Sequence, residues 1–154
     1  LKKGRRLINS KREIVDGINF ASRIEAYMYR LLKKEGISFN YEGVSFLVLN
    51  PFTFPNESHE RQGNNKGELI NRGNKKMQGI IYTPDFNINH NEYICIIETK
   101  GLRTESFNMR LKLFKAHLTR DKVEMDIYIP HTQKECDKVI ELIKIKINGY
   151  TKTN

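Results

Sequence analysis

The chain has 154 residues, 38% hydrophobic and 10% aromatic, enough for one domain with a core of its own. Charged residues make up 29%, and 27 Lys and Arg against 18 Asp and Glu leave a formal net charge of +9. With a pI of about 9.6 and a mean hydropathy of -0.60, such a chain favours polyanions, nucleic acid first and an anionic membrane second. No apolar run approaches the roughly 18 residues that span a bilayer. The basic start lacks the apolar segment of a secretory signal, and a chain opening on Leu1 is expected to be trimmed or processed. Cys95 and Cys136 form neither a CxxC pair nor a disulfide framework, and His59, His90, His117 and His131 are scattered without metal spacing. A reducing cytoplasm is the expected compartment.

Residues 1–13 carry Lys2, Lys3, Arg5, Arg6, Lys11 and Arg12 against Glu13, a basic arm suited to tracking a phosphate backbone. Residues 14–154 read as a single domain. "INFASRIEAYMYRLLKKEG" predicts a first helix with Phe20, Ile24, Tyr27 and Leu31 on one face, Met28 and Leu32 widening it, and Gly36 stopping it. "ISFNYEGVSFLVLNPF" predicts one strand or two short ones. Residues 55–78, rich in Gly, Asn and charge, read as a flexible basic insertion. Its Arg61, Lys66, Arg72, Lys75 and Lys76 outnumber three glutamates, which suits a DNA-facing flap. Strands are expected over 79–86 and 92–100 with "NINHNE" as their turn. A second helix follows, with Phe107, Leu111, Phe114 and Leu118 on one face and Arg110, Lys112 and Lys115 elsewhere. "VEMDIYIP" predicts a strand, and the segment after it a closing helix with Thr132 as N-cap.

The chemistry gathers in the strand pair. Alternation puts Glu98 and Lys100 on one face of the second strand, with Ile94 and Ile96 behind them. Tyr93, Cys95 and Ile97 fill the other face, so this strand is expected to be central and covered on both sides. Antiparallel pairing brings Asp85 to the same end. Two convergent carboxylates repel, so either a cation offsets them or one holds a proton. Hard oxygen ligands on adjacent strands suit Mg²⁺, with Mn²⁺ substituting. Lys100 would orient or help deprotonate a water, or neutralise charge in a phosphoryl transition state. Gly101 leaves room for a phosphate to approach.

"TPDF" and "ETKG", with twelve residues between Asp85 and Glu98, resemble the PD-(D/E)XK nuclease superfamily. Together with "INFASRIEAYMYRLL" and "ESFNMRLKLFKAHL", residues 14–118 resemble small phage-encoded endonucleases of that superfamily, similar to Holliday-junction resolvases. The resemblance implies an α/β, restriction-endonuclease-like core of order α-β-β-β-α-β, with a mixed central sheet flanked by helices. It also implies Asp85 and Glu98 as metal ligands, Thr99 lending its carbonyl, Lys100 as the catalytic lysine and Glu25 as a further acidic ligand. Glu25 is at the same time the last residue of "SRIE", a capping box in which it would reach back to Ser22. Arg103, Lys112 and Lys115 are candidates for phosphate contacts, beside the N-terminal arm and Lys75 and Lys76.

The expectation is therefore a Mg²⁺-dependent DNA endonuclease. It would act as a homodimer on branched DNA such as Holliday junctions, away from any membrane, in a bacterial cytoplasm and from a phage or mobile element. A site-specific restriction, homing or transposition endonuclease is the alternative enzyme. A non-catalytic DNA-binding module is the alternative of another class.

Overall fold

The computed structural model describes residues 11–61, 67–101 and 104–150. The elements run β1 (Glu13–Val15), β2 (Ile18–Phe20), α1 (Arg23–Lys34), β3 (Phe39–Tyr41), β4 (Phe46–Leu49), β5 (Phe52–Thr53) and β6 (His59–Arg61). They continue β7 (Leu69–Asn71), β8 (Lys76–Met77), β9 (Ile80–Tyr82), β10 (Phe86–His90), β11 (Tyr93–Ile97), α2 (Glu105–Arg120), β12 (Asp126–Tyr128) and α3 (Gln133–Tyr150). This is a mixed α/β chain.

The first helix begins later than its periodicity suggests. Asp16 and Gly17, at φ 51° and 78°, form a two-residue turn joining β1 to β2, because Asp-Gly tolerates the positive φ such hairpins need. Ser22 then caps α1 through the Glu25 N–H. The buried face is Glu25, Ala26, Met28, Tyr29 and Leu32. Ile24, Tyr27 and Leu31 lie at its margin, and Phe20 belongs to β2. Leu32 accepts from the Ile37 N–H and Lys33 from the Gly36 N–H, a Schellman end on Gly36 at φ 64°.

Four strands form the central sheet in the order β12-β11-β10-β3. β3 and β11 pair antiparallel to β10, and β12 pairs parallel to β11. A parallel pair needs a long crossover, which α2 supplies. The core elements thus follow one another as α1, β3, β10, β11, α2 and β12. On one face Phe86, Ile88, Cys95 and Ile97 pack with α1 and α3. On the other, Ile96 packs with Phe107, Leu111, Phe114 and Leu118 of α2. These four are the α2 face expected from the sequence. Thr132 accepts from the Glu135 N–H, the expected cap of α3.

The strand pair is displaced from its expected position. "NINH" continues β10, since Phe86 and Ile88 alternate into the core. The turn is Asn91–Glu92, at φ 49° and 66°. The strand expected over 79–86 is split at Pro84: Ile80–Tyr82 pairs with β4, and β10 starts only after Asp85.

The segment expected as a loop over 55–78 is largely part of a ribbon. β4, β5 and β6 run out, and β7, β8 and β9 return against them, pairing Leu47 with Ile81, Phe52 with Met77, and His59 with Asn71. This is one long antiparallel ladder that slips by one residue at two places. A glycine faces each slip. A Cβ at Gly79 would fall 2.8 Å from the Leu49 carbonyl oxygen, and one at Gly73 would fall 2.1 Å from that of Asn56. Both extra residues lie on the outgoing strand, where bulges bend and twist a ribbon. At its root Ser45 and Thr83 share a hydroxyl hydrogen bond of 2.7 Å, and β4 and β9 pack on α2.

Candidate active site

The β10–β11 ladder ends at the pair Phe86 and Ile97. Beyond it the chain of β11 stays extended by donating to the β12 side, from the Glu98 N–H to Tyr128 and from the Lys100 N–H to Pro130. The N–H between them, on Thr99, points the other way and donates to Asp85 Oδ2 at 2.7 Å. Thr99 Oγ1 donates to the same oxygen, also at 2.7 Å. The Asp85 carbonyl accepts from the Glu42 N–H. Asp85 thus continues both ladders at once, by main chain toward β3 and by side chain toward Thr99.

Glu98 is buried. Tyr82 donates its hydroxyl to one carboxylate oxygen at 3.3 Å, and Lys100 Nζ donates to the other at 3.2 Å. The same ammonium sits 4.8 Å from the centre of the Phe107 ring, a cation–π arrangement that fixes the end of a long side chain. These groups line a cavity of about 340 Å³, with Ile81, Thr83, Thr104, Ser106 and Arg110 completing the wall. Gly101 is exposed, and a Cβ there would meet nothing within 4 Å. The protein's own packing therefore does not demand a glycine at that position.

Electrostatically, Lys100 is the one cation among the described residues that pairs with either buried carboxylate, while Arg110 lines the cavity without an ion pair to them. Burial pushes Asp85 up to about 7, helped by the charges of Glu98 and Glu25 and opposed by the Thr99 hydrogen bonds. Burial also raises Glu98, against Lys100 and Tyr82. One ammonium does not balance two buried carboxylates. A divalent cation fits this donor set. Mg²⁺ needs only one or two carboxylates and keeps water elsewhere. The Thr99 carbonyl could be a third donor, since in an extended chain it leaves on the same side as the N–H that meets Asp85. Among the described residues no group of three or more His, Cys, Asp or Glu converges to hold a metal.

Asp85, Glu98, Thr99 and Lys100 are therefore brought together, whereas Glu25 is held apart. Its Oε1 accepts from Ser22 Oγ at 2.9 Å, and its Oε2 accepts from the Ala21 N–H and Tyr41 OH, both at 3.1 Å. The capping box occupies the carboxylate, which is absent from the cavity wall and acts on Asp85 by charge. Glu25→Gln is accordingly expected to weaken divalent binding by no more than roughly threefold and to lower the Asp85 titration. Calorimetry and an NMR pH titration check this, and a far larger loss of affinity would make Glu25 a ligand.

Lys75 and Lys76 lie exposed on the ribbon, and Lys112 and Lys115 are exposed on α2, outside the cavity wall. Lys2, Lys3, Arg5, Arg6 and Arg103 fall outside the described residues. Arg110, Tyr82, Thr104 and Ser106 were not singled out for the site by sequence reasoning. The usable signal was the short step from Gly101 to the Thr104 cap, which forces the first turns of α2 back over the end of β11.

Residues 5–134 match the family described as Protein of unknown function (DUF1064), and the chain belongs to that family. No curated protein and no solved structure matches the chain. Among the described residues no helix is long and apolar enough to cross a membrane.

Proposed function

We propose that the chain is a divalent-metal-dependent DNA endonuclease of the PD-(D/E)XK type, acting on branched DNA as a homodimer. The observation that carries this reading is the meeting of Asp85, Glu98 and Lys100 on one cavity wall at the end of a central strand. The order α1, β3, β10, β11, α2, β12 supports it, because it is the order that the motif resemblance led one to expect. A basic chain of net charge +9 suits the polyanionic substrate. Two strands to cut make a two-fold pair of sites the economical assembly. The setting proposed with it is a bacterial cytoplasm and a phage or mobile element.

In this reading Asp85, Glu98 and the Thr99 carbonyl would hold Mg²⁺ or Mn²⁺, which when bound supplies a polarised phosphoryl oxygen and a more acidic water. Lys100, anchored by Glu98 and Phe107, orients the attacking water and offsets charge building on the phosphorus oxygens. Arg110 on the opposite wall binds a non-bridging oxygen of the same phosphodiester. The Thr104 and Ser106 hydroxyls add donors beside it. Tyr82 keeps Glu98 oriented.

The test is incubation with Mg²⁺ or Mn²⁺ and a panel of linear, nicked, flap and four-way DNAs. Cleavage of the branched members is expected, with Glu98→Gln inactive yet still binding. The reading is lost if nothing is cut, or if Glu98→Gln cuts as well as the parent.

A further inference from the structure

The ribbon from β4 to β9 presents a surface that the cleavage site does not use. Phe52, Phe54 and Met77 are 46%, 37% and 47% exposed. Phe52 lies directly across from Met77. The Phe54 N–H donates to the Lys75 carbonyl, so the two-residue period of the ladder puts Phe54 and Lys75 on that same face. β5 with β8, and β6 with β7, pack chiefly on each other, so this face has no helix built over it. Lys75 pairs with no carboxylate among the described residues, whereas Arg72 lies 3.8 Å from Glu60; Lys76, opposite Thr53, belongs to the reverse face. Ile81, at the root, is exposed and also lines the cavity.

Two aromatic rings and a thioether beside one unneutralised ammonium group match one occupant best. A second copy meeting this face across a two-fold axis would set lysines against lysines. A continuous duplex offers its grooves only base edges and phosphates, with the thymine methyl as the sole apolar group. An unpaired base offers a π face for Phe52, Phe54 or Met77, and its flanking phosphate complements Lys75.

We propose that the ribbon, through Phe52, Phe54 and Met77 with Lys75, stacks on bases left unpaired at a DNA branch and thereby selects branched over continuous duplex. The proposal rests on the nuclease reading for its substrate and names the element that chooses it. Ile81 is four residue steps from Met77 along extended chain, about 13 Å, or about four nucleotides of rise. Cleavage is therefore placed within about that distance of the branch.

The experiment measures affinity for a four-way junction carrying unpaired bases at its branch point and for a linear duplex of equal length, with Ca²⁺ in place of Mg²⁺, alongside the oligomeric state and melting temperature. Phe52→Ser/Phe54→Ser is expected to lower the junction-to-duplex affinity ratio by at least about tenfold, with duplex affinity and melting temperature unchanged. Lys75→Ala is expected to weaken both substrates alike and to flatten the salt dependence. An unchanged ratio for the Phe pair overturns the proposal. So does a shift from dimer to monomer, which would make the face an interface between copies. Binding reads the ribbon and cleavage reads the nuclease, so a protein that prefers junctions but never cuts fails only the latter.

Discussion

Asp85→Asn is expected to stabilise the metal-free protein at pH 8 by about 2 to 4 kcal/mol, a rise of roughly 5–10 °C in Tm. An aspartate in an unfolded chain titrates near 3.9, whereas burial and Glu98 push Asp85 up to about 7. Between those values the folded state holds a proton that the unfolded state has released. Stability contributed by this group therefore falls as pH rises from about 4 to 7, and stays low above 7. Asparagine carries no charge, and its carbonyl can still accept both Thr99 bonds. Melts from pH 4.5 to 8 should slope downward for the parent, and this slope should be reduced in the variant. Millimolar Mg²⁺ should raise the parent's Tm at pH 8, less at pH 5, and little in Asp85→Asn. A parent whose stability is flat across that window would show that Asp85 ionises without strain, and the case for a missing cation would fall with it.

Lys100→Met is expected to lower single-turnover DNA cleavage by at least about 100-fold while leaving DNA affinity within a few-fold. Methionine keeps an apolar stem against Phe107 and removes only the charged end. The same change strips Glu98 of the cation that opposes its raised pKa. The metal-free variant should lose about 1 kcal/mol at pH 8, since the lysine is a third exposed and water screens the pair. The gain in Tm from Mg²⁺ should grow, because the cation then offsets the carboxylates without help. Cleavage within tenfold of the parent would remove Lys100 from the chemistry.

Both results depend on how a local pattern was placed in three dimensions. The face of α2 was legible because Phe107, Leu111, Phe114 and Leu118 recur at the helical period and meet one sheet face. In α1 the same reasoning erred. Asp16–Gly17 starts a hairpin that draws Phe20 into a strand, and the stripe that packs is the one holding Glu25. The turn after β10 was misplaced because polar composition suggested a loop, whereas Ile88 lies in register with Cys95 in the core. Of the ribbon, only the root strands β4 and β9 were legible, and the outer part was not. Its outer pairs bury little, so no hydrophobic alternation marks them, and Gly73 and Gly79 read as loop residues until the opposite strand is present.

What the sequence determines by itself is chemistry at short range. Alternation alone puts Glu98 and Lys100 on one side of a strand, and a Ser-x-x-Glu start makes Glu25 a capping residue. Only the tertiary structure decides which of these groups share a site. Asp85 reaches Thr99 because the hairpin ladder stops one pair short and the side chain takes the next hydrogen bond. Arg110 and Tyr82 arrive from a helix and a ribbon whose placement over the end of β11 no local period encodes. Glu25 stays outside the cavity because its oxygens are already satisfied by Ala21, Ser22 and Tyr41. The burial that raises Asp85 is a property of the assembled sheet and helices, since desolvation depends on neighbours distant in the chain.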